Sequence, residues 1–454
     1  MAAAPSSEHL DAIFKAYDIR GIHPDQIDES VARLVGNAFV AFTGAPTVLV
    51  GRDARPSSEP LAAAFVEGAC TAGADVVDLG LASTDLVYFA SGRLDAPAAM
   101  FTASHNPAQY NGIKLCRAGA APVGEETGLL RIKAMVAEGL LERTAEPGRA
   151  ERRDLLPAFV EHVHSFVDVG SLAPLRVVTD TANGVGGLIV PAVFSGLPFE
   201  LSMLFAELDG TFPNHPANPM EPENLVDLQQ AVTAAGADVG LAFDGDADRV
   251  FLVDDRAVPV SGSTTTAILA RALLAASPGG TVVHNCICSR AVPEIVREAG
   301  GVPVRTRVGH SFIKAVMAET DAVFGGEHSA HYYFRDNWRA DSGIIAAMIV
   351  LAELSKAGVP LSEFRAPYDR YAASGEVNSR VEDPDAVIEA VARAYAGARQ
   401  DRLDGLTVEF DDWWFNLRPS NTEPLLRCNV EAATPEECAA RTDEVLDLVR
   451  RGAP

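Results

Sequence analysis

The sequence predicts an α/β protein of several domains with largely parallel sheets, and three observations carry that prediction. The chain has 454 residues, enough for roughly three or four domains at about 100–200 residues each. Short β-branched runs alternate with Ala- and Leu-rich stretches, as strands alternate with crossover helices. Three polar clusters each follow an apolar run: Thr102-Ala103-Ser104-His105-Asn106-Pro107, Asp244-Gly245-Asp246-Ala247-Asp248-Arg249 and Gly325-Gly326-Glu327-His328-Ser329. Ligands of open α/β sheets bind beyond the carboxyl ends of strands, so one such cluster per candidate domain implies domains converging on one cleft.

The elements follow in order. Thr47 to Val50 reads as a strand, Pro60 to Thr71 as a helix, and Ala74 to Leu79 as the next strand. The same alternation returns at Leu175 to Thr179, Asp238 to Phe243, Gly280 to His284 and Ala322 to Phe324. Asn183-Gly184-Val185-Gly186-Gly187 reads as a tight strand-to-helix turn, since it lacks the spacing and the following acid of a dinucleotide site. Ile344 to Leu354 is the longest apolar run; it contains Glu353, is too short to span a bilayer, and reads as a buried helix. Three polar, turn-rich stretches read as linkers: Glu146 to Asp154, Asp254 to Pro259 and Ser374 to Ser379. From about 370 onward the alternation thins, as expected of a smaller α+β unit.

Hydrophobic residues make up 48% of the chain, so large cores can form. A formal net charge of −25 argues against nucleic acid and against an anionic membrane. An anionic substrate would then need a local basic pocket. The six cysteines show no zinc spacing and read as free thiols of a reducing cytoplasm. The first ten residues carry no basic-then-apolar signal, so the expected location is cytoplasmic. No obligate protein partner is evident.

Ser104 offers a small nucleophile on a rigid turn just past Ala98 to Phe101. Asp244, Asp246 and Asp248 alternate, and such carboxylates repel unless a cation sits among them; oxygen-only ligands suit Mg²⁺ or Ca²⁺. A calcium EF-hand is set aside, because Arg249 and Asp255 stand where that loop wants Gly and Glu. Arg249 beside the metal suits a phosphate oxygen. Arg418-Pro419-Ser420-Asn421-Thr422-Glu423-Pro424 has a phosphate-gripping composition, with a bidentate guanidinium, two hydroxyls, an amide and two stiffening prolines. Glu327 and Ser329 suit the hydroxyls of a polyol, with His331 close behind, and Lys114 lies ten residues past Ser104, within reach of the same site.

Together these residues resemble the α-D-phosphohexomutase superfamily, most of all its phosphomannomutase/phosphoglucomutase branch. The resemblance runs from Phe14-Lys15-Ala16-Tyr17-Asp18-Ile19-Arg20-Gly21 to the Arg418 loop, and Cys288-Ser289-Arg290 favours the mannose/glucose branch over glucosamine mutases. It implies four domains around a central cleft: three related α/β domains with mixed sheets and a smaller C-terminal α+β domain. The expected bounds are 1–150 for the phosphoserine, 151–254 for the metal, 255–370 for the sugar and 371–454 for the phosphate.

The resemblance further implies phosphoserine at Ser104 and Mg²⁺ held by Ser104, Asp244, Asp246 and Asp248. Sugar hydroxyls fall to Glu327 and Ser329, and the distal phosphate to Arg418, Ser420, Asn421 and Thr422. Arg20, Lys114, Arg249 and His310 match the remaining catalytic positions, with Lys114 or His310 as the proton carrier, and Tyr17, His105 and His331 are expected to line the substrate site. The implied reaction interconverts hexose 6-phosphate and hexose 1-phosphate through a hexose 1,6-bisphosphate, which also serves as activator. The alternatives are a phosphoglucosamine mutase and a catalytically inactive sugar-phosphate-binding protein. Two departures bear on the sugar: His328 and Ala330 stand where the branch often has Met and Gly, and Ala103 where Gly is common.

Overall fold

The computed structural model describes residues 5–139, 144–419 and 425–452. By its internal contacts the chain forms two compact units, residues 1–261 with 329–364, and residues 262–328 with 365–454.

The first unit contains two mixed sheets. In the first, strand Ala98–Phe101 lies between Thr47–Arg52, parallel to it, and Tyr110–Arg117, antiparallel to it. All four residues of Ala98–Phe101 are buried, which is why this strand reads as an unbroken apolar run rather than an alternating one. Asp75–Leu81 extends the sheet beyond Thr47–Arg52, and Ile19–Ile22 extends it beyond Tyr110–Arg117. In the second sheet, Val239–Phe243 runs parallel to Arg176–Asp180 and antiparallel to Val250–Asp254. The strand-to-helix turn expected near Asn183 is present, with Ala182 and Asn183 in left-handed backbone before the helix Gly186–Phe194.

Residues 329–364 supply the hairpin Tyr332–Phe334 and Ala340–Asp341, then the helix Gly343–Ala357. Ser342 caps that helix by accepting from the Ile345 amide, and Gly358, at φ 64°, ends it. Its residues from Gly343 to Ala352 are all buried, as the apolar run predicts.

The second unit contains strand Thr281–Asn285, parallel to Val302–Thr306 on one side and Phe324–Gly326 on the other. Its other sheet is wholly antiparallel, in the order Ala372–Arg380, Leu425–Ala432, Trp413–Pro419, Leu406–Glu409, Arg399–Asp401. Val387, Ile388 and Val391 of helix Pro384–Ala394 join Leu417, Cys428 and Val430 of the strands in one apolar core. This is the smaller α+β unit the sequence implies.

The structure gives local form to the three segments read as linkers and shifts one strand. Asp254 to Pro259 is a hairpin turn, because the Asp254 carboxylate accepts from the amides of Arg256 and Val258 and the chain returns as Pro259–Val260. Ser374 to Ser379 lies inside strand Ala372–Arg380, with a register shift between Ala373 and Glu376. Glu146 to Asp154 contains an edge strand, Ala150–Arg152, paired with Asp75–Leu81. The strand expected at Ala322 to Phe324 begins only at Phe324 and takes in the glycine pair. Turn-rich composition marks a change of direction, and a hairpin or bulge satisfies it as well as a linker does.

Candidate active site

Ser104 stands past the buried strand Ala98–Phe101, with φ 50°. A non-glycine residue in left-handed backbone costs roughly 1–2 kcal/mol, so surrounding bonds must hold it there. The Thr102 hydroxyl accepts from the Ser104 amide at 2.8 Å. The Ser104 hydroxyl donates to Asp244 Oδ2 at 2.7 Å, and Arg249 Nη2 approaches that hydroxyl at 3.4 Å. Arg249 also donates to Asp244 Oδ2 through Nε at 3.0 Å and to His105 Nδ1 at 2.7 Å. Gly245 is required here, since a Cβ on it would lie 2.5 Å from the Ser104 carbonyl oxygen. The nucleophile and the acidic cluster, 140 residues apart in sequence, therefore meet directly.

Lys114, on strand Tyr110–Arg117, spans the other two aspartates, with Nζ 2.7 Å from Asp246 Oδ2 and 2.7 Å from Asp248 Oδ2. Thr84, at the first turn of helix Thr84–Leu94, donates its hydroxyl to the same Asp246 oxygen at 2.6 Å. Asp246 Oδ1 and Asp248 Oδ1 are buried and have no hydrogen-bond partner among the described residues. One ligating oxygen from each of Asp244, Asp246 and Asp248 can be chosen so that the three lie within 4.8 Å of one another. Two buried carboxylate oxygens without donors, in an oxygen-only set, fit a hard divalent cation.

Charge follows from this packing. Burial, with Asp246 and Asp248 nearby, pushes Asp244 up to about 8 despite Arg249. Burial opposes the charge on Asp246 too, but Lys114 and Thr84 hold its carboxyl well below the usual range. Burial works against the Lys114 ammonium, yet Asp246 and Asp248 keep it well above the ordinary lysine value. Burial, then Arg249 and Arg20, holds the His105 imidazole well below its ordinary value, hence neutral.

The remaining residues of the first unit lie around this core. Arg20 donates to Asn106 Oδ1 at 2.6 Å and pairs with Asp18, next to Tyr17. His331 stands with Nε2 3.9 Å from Asp248 Oδ1 and Nδ1 3.1 Å from the Ser329 hydroxyl. Ala330 between them has φ 64°, which explains why glycine suits that position.

In the second unit, Glu327 is 2% exposed and its Oε2 accepts from Asn285 Nδ2 at 3.2 Å and from the Gly309 amide at 3.3 Å. His310 opens the helix His310–Thr320 directly after Gly309. His328 Nδ1 lies 3.0 Å from the Ser263 hydroxyl. Arg418, on strand Trp413–Pro419, pairs with Glu376, which also meets Arg427 at 3.4 Å. Among the described residues the buried Arg418 Nε has no hydrogen-bond partner. Ser420, Asn421 and Thr422 lie outside the described residues.

Sequence reasoning missed Arg55, Thr84, Asn106, Asn285 and Glu376. The first carries a signal: Gly51-Arg52-Asp53-Ala54-Arg55-Pro56-Ser57 is itself a polar cluster after an apolar run, like those at Ser104, Asp244 and Gly325.

Four family models match in register along the chain. They describe phosphoglucomutase/phosphomannomutase alpha/beta/alpha domain I over residues 11–142, domain II over 157–257, domain III over 261–371, and the C-terminal domain over 376–448. A protein described as phosphohexose mutases from Xanthomonas campestris is 42% identical over 446 residues, 96% of this chain and 99% of its own. A phosphomannomutase from Salmonella montevideo is 39% identical over 448 residues, covering 96% and 98%. The crystal structure of a phosphoglucomutase/phosphomannomutase family protein from Burkholderia thailandensis superposes with a TM-score of 0.88 at 32% identity, covering 98% of each chain.

Proposed function

The chain belongs to the phosphoglucomutase/phosphomannomutase family and is a hexose phosphate mutase, and from that premise we propose that Ser104 carries the phosphoryl group in exchange between O6 and O1 of mannose and glucose phosphates. The observation that carries the reading is Ser104, a residue 5% exposed whose hydroxyl bonds Asp244 at 2.7 Å, with Arg249 at 3.4 Å. The proposed roles fall in the segments 1–150, 151–254, 255–370 and 371–454.

Phospho-Ser104 gives its phosphoryl group to the free hydroxyl of a hexose monophosphate. A bond forms from that oxygen to phosphorus, the Ser104 Oγ–phosphorus bond breaks, and a hexose 1,6-bisphosphate results. The intermediate reorients and returns its other phosphoryl group to Ser104. Such transfer rests on positioning and charge neutralisation. Ser104, Asp244, Asp246 and Asp248 would hold Mg²⁺, supported by the two unpaired aspartate oxygens. Bound there, it would draw charge from the phosphoryl oxygens. Arg249 supplies a fixed cation at the Ser104 oxygen, and Arg20 a second near Asn106.

Lys114, 2.7 Å from Asp246 and Asp248, neutralises charge, and Lys114 or His310 takes the hydroxyl proton. Tyr17 and His105 line the phosphate path, and Glu327, Ser329 and His331 bind sugar hydroxyls. Arg418, with Ser420, Asn421 and Thr422, takes the phosphate that is not being transferred. Hexose 1,6-bisphosphate activates by rephosphorylating a Ser104 that has lost its phosphate. Among the described residues no helix is long and apolar enough to cross a membrane.

Kinetics on mannose, glucose and glucosamine 1-phosphates with trace bisphosphate test this reading. A bisphosphate that must bind in two orientations favours contacts to hydroxyls common to both, so discrimination at C2 is expected to be weak. The expected kcat/KM values for mannose and glucose lie within roughly a hundredfold, about 3 kcal/mol, with glucosamine phosphate poorer. A preference above a thousandfold for one neutral sugar, or for glucosamine phosphate, would place the specificity in His328 or Ala330.

A further inference from the structure

We propose that Arg55 is the positioning residue of the phosphoryl-transfer loop, fixing through its guanidinium the orientation in which Ser104 presents its phosphoryl group. The proposal rests on the reading of Ser104 as phosphoryl carrier. Arg55 lies just beyond strand Thr47–Arg52, and its side chain is 0% exposed. A guanidinium has five N–H donors in a planar fork, and here all five are directed. Nε donates to Asp53 Oδ2 at 3.1 Å. Nη1 donates to the carbonyls of Pro107 at 2.7 Å and Tyr110 at 3.0 Å. Nη2 donates to the carbonyls of Ser104 at 2.8 Å and Asn106 at 2.7 Å.

Four carbonyls of one seven-residue stretch, 104 to 110, thus converge on a single cation. A surface loop ordinarily leaves such oxygens to water. This one is held from within, and the first carbonyl gripped belongs to the residue in left-handed backbone. Asp53 supplies the countercharge and is itself fixed, accepting from the Ser58 hydroxyl at 2.5 Å and from the Arg55 amide at 3.0 Å. On another side the Phe212 ring centroid lies 4.9 Å from the guanidinium carbon. Gly210 packs so closely that a Cβ there would come within 2.3 Å of the Arg55 Cα. The loop of residues 209–218, from the second sheet's segment, therefore closes over the arginine that holds the Ser104 loop.

Arg55 does not reach the Ser104 hydroxyl; it acts through the backbone. Loosening it lets Oγ drift from Asp244 and Arg249, and a misplacement near 1 Å can cost about a hundredfold in rate. Lysine cannot substitute, having one nitrogen and three donors where the loop alone uses four.

The test compares Arg55→Lys with wild type, counting phosphorylated molecules by intact mass. The expected result is a kcat per phosphoenzyme lower by roughly a hundredfold, with KM for mannose 1-phosphate within about threefold. The ³¹P resonance of phospho-Ser104 should also broaden or move. A purely structural role would lower the melting temperature and the active fraction but leave kcat per phosphoenzyme within twofold, and that outcome overturns the proposal. If Arg55→Lys does not fold, Phe212→Leu removes the aromatic cover alone. It should lower kcat per phosphoenzyme by roughly five- to tenfold at unchanged KM, and an unchanged kcat overturns the proposal equally. An active Ser104→Ala enzyme would sink the carrier reading itself, whereas a dead Ser104→Ala beside a normal Arg55→Lys sinks this inference alone.

Discussion

In the proposed reaction the neighbourhoods of Ser104 and Arg418 both meet phosphate charge, and they are built differently. Around Ser104 three carboxylates face two cations, Lys114 and Arg249, and the donors are nearly all committed at 2.7–3.0 Å. What is left over there is acceptor capacity, on Asp246 and Asp248. Around Arg418 the arginine is matched to a carboxylate it must share with Arg427, its direct partner across the strands. What is left over there is a donor, the Arg418 Nε. The first arrangement invites a cation and resists movement; the second invites an anion. Chemistry at a bond being broken needs fixed geometry, whereas holding the phosphate at the far end of a substrate that must turn around needs charge more than precision.

The largest expected effect lies on the committed side. Ser104→Ala should lose the phosphoenzyme and about 10⁴-fold or more in kcat while keeping its fold, read by intact mass and a coupled assay. Half of wild-type activity in that variant would remove the nucleophile from the account. Chelation comes next. EDTA should abolish turnover and Mg²⁺ should restore it, because the divalent charge that would offset the phosphoryl oxygens is then lost. Zn²⁺, which favours fewer ligands, should bind and inhibit. Full activity in metal-free enzyme would mean that the spare aspartate oxygens serve no ion.

Arg418→Ala should act on binding. A rise in KM for sugar phosphates of roughly ten- to a hundredfold, about 1.4–2.8 kcal/mol, is expected with a smaller change in kcat. A loss confined to kcat would erase the contrast between the two sites.

The smallest effects concern pH, and two buried groups, one in each unit, should contribute with opposite signs. Burial, against the hydroxyls of Ser342 and Ser83, pushes Asp85 in the first unit up to about 7 from 3.8. As pH rises from about 4 to 7 the unfolded carboxyl ionises before the folded one, so this group lowers stability over that window. Asp85→Asn should flatten that decline. In the second unit burial holds His284 down to about 4 from 6.5, although its ring bonds the Asn285 carbonyl. There stability falls as pH drops from 6.5 to about 4, because the unfolded imidazole protonates first. Thermal melts of Asp85→Asn and His284→Gln across pH 4–8 read both slopes, and slopes of the same sign would contradict the burial argument.

Ser104 and the aspartates were legible in the sequence because their signals are local. A nucleophile on a turn and alternating carboxylates past an apolar run need only neighbouring residues to be seen. Lys114 was legible as a candidate but not as the clamp on Asp246 and Asp248, since those bonds join residues 132 and 134 positions apart. Arg55 escaped because its partners are carbonyls, which every residue has, so no side-chain pattern marks them. Glu376 escaped because its segment read as a linker. Ser374 and Gly375 at the strand bulge, with Asn378 and Ser379 after it, look turn-like, and only the register with Leu425–Ala432 sets Glu376 beside Arg418 and Arg427. Ala330 was noticed as a departure, and its left-handed backbone supplies the physical reason.

Transfer from the serine itself is tested most directly in a single turnover. Enzyme carrying ³²P on Ser104 is mixed with excess unlabelled mannose 1-phosphate and quenched on the millisecond scale. Label is expected to leave the protein at least as fast as kcat and to appear first in mannose 1,6-bisphosphate, then in mannose 6-phosphate. Label that stays on the protein through many turnovers, or passes to inorganic phosphate without entering the sugar, would contradict it.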